Sequence, residues 1–379
     1  MSRARVERVL MTTDTVGGIW HYALELARGL SEHGIEVALA TLGAQPSADQ
    51  HRSALSIKGL TLHPSNYPLE WMSNPWDDLQ RAGDWLLKLA TDTRPDIVHL
   101  NHYCHGALPW PAPVMVAAHS CVYSWFEAVH GAPPNGDWQR YHEAVDHGLA
   151  SADMVVAPSA AMLSAIEKFY GSLPNTRVIA NGRRSAEFRP RNKRARILAA
   201  GRLWDEGKNV LALARIAPHL PWPVRLVGDA RRPDGRKSHF ANVEWIGTAS
   251  SRRLAREYAA AAIYALPARY EPFGLSILEA ALAGCPLVLG DIPSLREVWG
   301  RAALYVKPDD ERGLANALNG LIANGIERQA WGVRARHRAR RYSAARMTKG
   351  YLQAYGDLLD SRAAAHLSDF RREPVKGLG

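Results

Sequence analysis

The chain has 379 residues, of which 47% are hydrophobic and 22% are charged, and its formal net charge is +10. This length suits two domains of about 180 residues each, and the composition excludes a disordered or fibrous protein. The positive charge favours anionic partners, namely nucleotides, phospholipid surfaces or nucleic acid, without choosing among them.

Three cysteines are too few for a disulfide framework, so we expect a reducing compartment, the cytoplasm. The basic N-terminal stretch carries an apolar run of only Val-Leu-Met, which is too short for a signal-peptide core. Residues 97–126 contain no Asp, Glu, Lys or Arg. Their prolines and histidines argue against a membrane span, and we predict a buried strand, a loop and another strand there.

The first elements in chain order alternate between strand and helix. "RVERVLMTTD" predicts a strand, "IWHYALELARGLSEHG" has its apolar residues on one helical face, and "IEVALATLG" predicts the next strand. A strand–helix–strand unit indicates a parallel sheet. "PDIVHLNH", "APVMVAAHS" and "SADMVVAPS" predict three more buried strands, and a helix is expected over residues 160–170.

A charged segment, residues 181–196, reads as a linker, and the alternation then restarts. The strand candidates are "ILAAGRL", "VRLVGD", "VEWIG", "AIYALPA", "PLVLGD" and "ALYVKP", with helices between them. We therefore predict an α/β fold with two doubly wound Rossmann-like domains facing a cleft, residues 1–185 and residues 186–344. One helical tail from residue 327 to about 359 is expected to return, its segment over about residues 345–362 completing the first domain.

"ARYEPFGLSILEAALAGCPLVLGD" places a strand, a loop and a helix start in succession. Ligands bind beyond the carboxyl ends of parallel strands, and the free N–H groups of Gly274 and Leu275 would attract phosphate there. Glu271 and Glu279 would then bracket the phosphate, binding a sugar and a ribose diol. By spacing alone, a pair of surface acids is the commoner meaning.

The longer phrase "PARYEPFGLSILEAALAGCPLVLGDIPSLREV" resembles the signature of retaining nucleotide-sugar glycosyltransferases of the GT-B fold, family four of the group 1 type. The resemblance extends from Gly17 to the tail helix. It implies a transferase of the EC 2.4 class in polysaccharide or glycoconjugate biosynthesis. It also implies transfer to an acceptor hydroxyl with retention, by front-face substitution, without a metal or another cofactor.

The resemblance also implies roles for matching residues. Glu271 would contact hydroxyls of the donor sugar, and Phe273, Gly274 and Leu275 would offer backbone contacts to the sugar and phosphate. Glu279 would bind the ribose.

"AAGRLWDEGKNV" resembles the Gly-Arg-Leu…Lys element of the same family, which implies that Arg202 and Lys208 bind the diphosphate. The departing nucleotide gains negative charge that these cations would stabilise. The usual Lys-Gly order appears here as Gly207 followed by Lys208. A solvated basic loop is the alternative interpretation.

"TTDTVGGIWHY" resembles the first glycine-rich loop of the family, which implies that Gly17 and Gly18 line the cleft near the phosphates and the acceptor. A G-x-G-x-x-G motif is missing, which argues against a dinucleotide dehydrogenase. His119 follows the strand in "VAAHS" and matches a family histidine close to the transferred sugar. Taken alone, it is more often a structural residue.

Other segments carry two interpretations. "HLNHYCH" offers His99, His102, Cys104 and His105, but the spacing fits no standard zinc site, so we predict no metal. Five aromatic residues form either an acceptor-stacking platform or ordinary core: Tyr123, Trp125, Phe126, Trp138 and Tyr141.

A basic helical face in the tail carries Arg334, Arg338 and Arg341. A solvated face is the plainer interpretation, and contact with an anionic membrane is the sharper one. The second would place the protein peripherally at the inner membrane face.

The partners we predict are a nucleotide-diphosphate sugar and an acceptor left open among sugars, lipids and small molecules. Three rival functions remain: a GT-B-like sugar-nucleotide epimerase, a non-catalytic nucleotide-sugar-binding protein and a nucleic-acid-binding protein. The last depends on net charge alone, so we predict no nucleic-acid partner.

Overall fold

The computed structural model describes residues 5–232 and 235–370, with side chains through residue 364. Seven parallel strands form the first sheet in the order β3-β2-β1-β4-β5-β6-β7. These strands are β1 (Arg8–Asp14), β2 (Glu36–Leu42), β3 (Leu60–His63), β4 (Ile97–Leu100), β5 (Val114–Ala117), β6 (Met154–Ala157) and β7 (Thr176–Val178).

Six parallel strands form the second sheet in the order β10-β9-β8-β11-β12-β13. They are β8 (Arg194–Ala200), β9 (Val224–Val227), β10 (Glu244–Trp245), β11 (Ala261–Leu266), β12 (Leu287–Gly290) and β13 (Leu304–Val306). The central strand β11 is buried at every position, as expected for a parallel sheet with helices on both faces. Two doubly wound α/β domains are thus confirmed. The residue limits proposed for them stay predictions.

Helices connect the strands of each sheet, and three more follow β13 in the described part of the chain. In the first half they are α1 (Gly18–Glu32), α2 (Ala48–Leu55), α3 (Trp76–Thr93), α4 (Val122–His130), α5 (Gln139–Ala150) and α6 (Ala160–Tyr170). In the second half they are α7 (Val210–Ile216), α8 (Ser251–Ala260), α9 (Leu275–Leu282), α10 (Pro293–Trp299), α11 (Glu311–Ala323), α12 (Gly325–Ala339) and α13 (Ala344–Phe370).

Strand order reverses between β1 and β4 in the first sheet and between β8 and β11 in the second. Loops that leave the carboxyl ends of strands on either side of such a reversal diverge and open a crevice. The loops after β1, β5, β8 and β11 carry every predicted site residue except Gly18, which begins α1, and those inside α9. The fold therefore explains why residues distant in sequence gather.

The tail differs from the single helix that we predicted over residues 327–359. It is two helices, α12 and α13, separated where the chain crosses back to the first domain. At this crossing the Arg183 N–H donates to the carbonyl of Tyr342 at 3.1 Å, and the Ala344 N–H donates to the carbonyl of Arg183. The chain at Arg183 thus supplies hydrogen bonds to backbone groups of Tyr342 and Ala344, which would bond within the helix if α12 and α13 were continuous.

Helix α13 packs on the first domain, where Met347, Tyr351 and Tyr355 share a core with Tyr22 of α1. The Tyr355 hydroxyl lies 2.6 Å from Nδ1 of His99 on β4. The two helices touch closely at Gly29, where an added Cβ would lie 1.9 Å from Oγ1 of Thr348.

Residues 97–126 form β4, β5 and the start of α4. The two strands and the loop between them are therefore confirmed. Within the part of the chain that the structure describes, no helix combines the length and apolarity that crossing a bilayer demands.

A first prediction concerns His99→Gln. Burial lowers the pKa of His99 to about 3. An unfolded histidine titrates near pH 6.5, so below that pH unfolding takes up a proton that the folded chain refuses, and stability falls by about 1.4 kcal/mol per pH unit for this residue. The free energy of unfolding of the variant should therefore fall less steeply than that of the wild type between about pH 6 and pH 5.

Urea unfolding at several pH values measures the slope. The exposed His33, replaced by Gln, serves as a matched control that should keep the wild-type slope. A wild-type slope in His99→Gln would contradict a buried neutral imidazole.

Candidate active site

The glycine-rich loop of the first domain lies against two residues of the second. A Cβ added at Gly17 would be 3.5 Å from Cδ of Arg202, and one at Gly18 would be 3.7 Å from Cδ1 of Leu275. These contacts bring four predicted site residues together between the domains. Larger side chains at either glycine would occupy the narrow space in front of Arg202 and α9.

Lys208 and Glu271 form an ion pair, with Nζ 2.6 Å from Oε2. Their side chains are only 13% and 10% exposed, so the pair is held away from bulk water. Arg202, which is partly exposed, donates from Nη2 to Asp205 at 3.1 Å. The structure thus brings together both predicted diphosphate cations and the first glutamate.

Helix α9 begins directly after Gly274, whose φ of +88° is in the left-handed region that favours glycine. No side chain caps this end. Phe273 is buried and meets Tyr342 edge-to-face, so any ligand contact from it would come from its backbone. A free helix start with no capping side chain matches the predicted anion site.

Glu279 is 6% exposed and faces Arg183 rather than open solvent. The two atoms Glu279 Oε1 and Arg183 Nε lie 2.9 Å apart, and Nη1 of the same guanidinium donates to Glu25 on α1 at 2.9 Å. Burial raises the pKa of Glu279, against the opposing charge of Arg183. The network places this glutamate at the junction of both domains.

His119 follows β5 and hydrogen-bonds through Nε2 to Oδ1 of Asn101 at 2.7 Å. Its ring also meets Tyr22 edge-on at 4.4 Å. Burial lowers the pKa of His119 to about 3, with His99 as a smaller cause. The imidazole is therefore neutral, and it can exchange hydrogen bonds without carrying charge.

Several residues of this region were not found from the sequence. Asp14 ends β1, and its Oδ1 accepts the Val16 N–H at 3.0 Å; burial raises its pKa although Arg202 opposes this. Its place at the end of a central strand was the available signal. Asn101 carried the same signal, since it directly follows the central strand β4, and Asp205 lies three residues after Arg202 in the same phrase; only the folded chain shows which partners they meet.

The histidine-rich segment after β4 serves the core of the first domain. His99 lies between the hydroxyls of Tyr22 and Tyr355, and His105 hydrogen-bonds the Leu79 carbonyl at 3.0 Å. His102 is buried, and neither ring nitrogen has a protein partner in the structure. Among residues 5–232 and 235–370, no three His, Cys, Asp or Glu side chains are placed to hold a metal ion.

The five aromatic residues divide between two environments. Tyr141 is in the core, and Tyr123 stacks parallel to it. Phe126 and Trp138 instead line a shallow cavity of about 400 Å³ beside the loop after α4. Trp125 faces the second domain.

The predicted basic face of the tail is also divided. Arg338 donates to the carbonyls of Val298 and Glu297 at 2.7 and 3.0 Å, so it fixes α12 on its own domain. Arg334 and Arg341 are exposed. Arg334 and Arg341 are therefore open to solvent or to an anionic surface, whereas Arg338 is bound to its own domain and belongs to neither interpretation.

Comparison with known families gives two matches that together span most of the chain. Residues 16–185 match the family described as Glycosyltransferase Family 4. Residues 194–324 match the family described as Glycosyl transferases group 1.

Two relatives illustrate the similarity. Glycogen synthase of Mycobacterium tuberculosis is 27% identical over 358 residues, covering 85% of this chain and 86% of its own. A D-inositol 3-phosphate glycosyltransferase of Xylanimonas cellulosilytica is 27% identical over 401 residues, with coverages of 90% and 93%.

Solved structures share the fold over nearly the whole chain. Sucrose-phosphate synthase of Thermosynechococcus elongatus superposes with a TM-score of 0.77 at 18% identity, covering 94% of this chain and 100% of that one. Anabaena HepE in complex with UDP-glucose gives a TM-score of 0.73 at 18% identity, with coverages of 93% and 99%.

A second prediction tests the buried network. Glu279→Ala leaves Arg183 with one fewer buried carboxylate and should lower the free energy of unfolding by about 3 kcal/mol. Glu187→Ala removes a partly exposed partner of the same guanidinium and should cost less than about 1 kcal/mol. Urea unfolding compares the two variants. Equal losses would contradict the placement of Glu279.

Proposed function

The chain belongs to the family-four, group 1 glycosyltransferases with the GT-B fold, and from this premise we propose its donor, mechanism and site roles. The donor is a nucleotide-diphosphate sugar. The sugar passes to an acceptor hydroxyl with retention at the anomeric carbon and without a metal ion. The observation that carries the proposal is the meeting of Arg202, the Lys208–Glu271 pair and the Gly17 loop between the two sheets.

In the proposed complex the diphosphate lies between Arg202, Lys208 and the uncapped start of α9. Phosphate would draw Lys208 towards itself, releasing Glu271 to accept hydrogen bonds from the sugar hydroxyls. Gly274 and Leu275 offer backbone contacts, and Gly17 and Gly18 leave room for the phosphates. UDP-glucose in the HepE complex is a donor of the same class.

Glu279 is proposed to bind the ribose with the oxygen that does not face Arg183. Arg183 fixes the orientation of the carboxylate, so the role depends on the network of Glu25, Arg183 and Glu279 staying intact. Neutral His119 is proposed to bind the transferred sugar as a hydrogen-bonding group.

Retention is proposed through front-face substitution. The bond between the anomeric carbon and the phosphate oxygen breaks, the bond to the acceptor oxygen forms on the same face, and the acceptor proton passes to the leaving phosphate. The engagement of nearby carboxylates supports this: Asp205 is bound by Arg202, and Glu271, once released by Lys208, would be occupied by the sugar hydroxyls. Closure of the domains would exclude water from the reacting atoms.

A third prediction tests donor binding by thermal shift with UDP, GDP, ADP and their sugars, with and without EDTA. A ligand at 100 times its dissociation constant adds about 2.7 kcal/mol to stability. The nucleotides that carry one of the three bases should raise the melting temperature, both with and without EDTA. Arg202→Ala should weaken that ligand about tenfold or more, since a charged hydrogen bond is lost. Arg215→Ala, an exposed arginine of α7, is the control and should bind normally.

Product analysis then separates the alternatives. An α-linked donor should give an α-linked product by NMR. Free epimerised nucleotide sugar would identify an epimerase, and binding without turnover of any acceptor would identify a binding protein. Either result, or loss of binding in EDTA, would contradict the proposal.

We also propose peripheral membrane contact through the outer face of α12, in keeping with a cytoplasmic enzyme whose acceptor is a lipid. Ile326 and Val333 are 86% and 64% exposed there, beside the exposed Arg334. Apolar side chains next to arginine suit an anionic bilayer surface. We expect co-sedimentation with anionic vesicles and loss of it in Val333→Asp. Equal binding to neutral vesicles would contradict the electrostatic part.

A further inference from the structure

One turn of the first domain contacts both second-domain loops that carry the proposed donor cations and glutamate. Residues 121–125, which we call the α4 turn, run from the residue before α4 into its first turn. Its contacts are with Asp205 in the loop after β8 and with Tyr270 in the loop after β11. Both contacts therefore cross from the acceptor side to the donor side.

The first contact joins Trp125 to Asp205. The indole Nε1–H donates to Asp205 Oδ1 at 2.9 Å, and the Gly207 N–H donates to the same oxygen at 2.9 Å. The other carboxylate oxygen accepts from Nη2 of Arg202 at 3.1 Å. Asp205 is buried, so it transmits the position of Trp125 to Arg202 with little competition from water.

The second contact joins the α4 turn to Tyr270. The Tyr270 hydroxyl accepts the Cys121 N–H at 3.0 Å and lies 2.9 Å from Oγ of Ser124. The backbone N–H of Tyr270 donates to the Gly207 carbonyl at 3.1 Å, which ties the two loops together. Tyr270 directly precedes Glu271, and Gly207 directly precedes Lys208.

The glycine at position 207 has a physical reason in this arrangement. A Cβ there would lie 2.9 Å from Nε1 of Trp125 and 3.2 Å from Cβ of Tyr270. A side chain at this position would push the first domain away. The order Gly207-Lys208, which departs from the family's usual Lys-Gly, thus allows the indole to reach the loop.

We propose that Trp125 is a positioning residue that acts through Asp205, and that the α4 turn aligns Arg202, Lys208 and Glu271 for transfer when the domains are closed. This inference rests on the proposed function. The α4 turn thereby completes the donor site without itself touching the donor. His119 lies two residues before the turn, so one segment serves both the transferred sugar and the cations.

Charge supports this coupling. Burial raises the pKa of Asp205, but Arg202 and Lys208 outweigh it, so the pKa stays below its usual value. The carboxylate is therefore ionised and accepts the indole N–H as a charge-assisted bond. An ionised, buried anion between two cations needs a fixed donor to hold its orientation.

Trp125→Phe removes the indole donor while keeping an aromatic ring. We expect kcat to fall about tenfold while the variant stays folded at the assay temperature, since misaligned groups lose rate and the lost hydrogen bond lowers the melting temperature by only a few degrees. The double variant with Asp205→Asn should be no slower than the slower single variant. Both changes interrupt the same chain of hydrogen bonds from Trp125 through Asp205 to Arg202. Tyr270→Phe, which removes the second contact, should lower kcat independently.

Trp331→Phe is the matched control, because Trp331 also donates its indole N–H to a carboxylate, Glu327, but within α12. It should keep the wild-type kcat. A wild-type kcat in Trp125→Phe, or strictly additive losses with Asp205→Asn, would overturn the proposal.

A readout without substrate separates this inference from the proposed function. The indole N–H resonance of Trp125, assigned by its absence in Trp125→Phe, should shift in Asp205→Asn. An unmoved resonance would overturn the contact itself. If the resonance shifts in Asp205→Asn but the wild-type protein turns over no nucleotide sugar, the proposed function is contradicted and the contact is supported.

Discussion

The relative position of the two domains depends on Arg183, which contacts a helix of each domain and the chain that returns between them. Its guanidinium is 4% exposed and contacts Glu25 on α1 of the first domain and Glu279 on α9 of the second. Its backbone pairs with the returning chain at Tyr342 and Ala344. A buried cation of this kind is costly unless its partners stay in place, so the relative position of the two domains and the orientation of Glu279 are set together.

Arginine is used structurally elsewhere too, which changes the meaning of the net charge. Arg338 and Arg336 donate to backbone carbonyls of neighbouring elements, and the buried Arg196 pairs with Glu257. These side chains hold helices and strands in place and contribute little to a surface field. The arginine content therefore has a structural reason in part, and the formal charge of +10 is not by itself evidence for an anionic partner.

Much of the fold could be predicted from sequence because its central strands are continuous apolar runs. β1, β5, β6 and β11 are buried almost throughout and are bounded by polar loops. The edge strand β3 and the short strand β7 gave weaker patterns, since part of each is exposed. The break between α12 and α13 had one local signal, Ser343, whose Oγ accepts the Arg346 N–H as an N-cap, while the pairing with Arg183 far away in sequence had none.

The site shows the same division. Arg202, Lys208, Glu271 and the α9 start lie in two local phrases, and the structure brings these phrases together. Trp125 and Tyr270 contact each other's loops only through tertiary structure, so no periodicity or spacing marks them. The sequence offered two uses for Trp125, a stacking platform or core, and its actual contact with Asp205 was neither.

The return of α13 has a consequence for how the chain folds during synthesis. The Tyr355–His99 hydrogen bond joins residues 256 positions apart, and the apolar face of α1 is covered by Met347, Tyr351 and Leu358. Until those residues leave the ribosome, the first domain can fold only with the outer face of α1 uncovered. A nascent chain therefore lacks the cover over Tyr22 and Gly29 throughout translation of the second domain, and this apolar surface is open to aggregation during that interval.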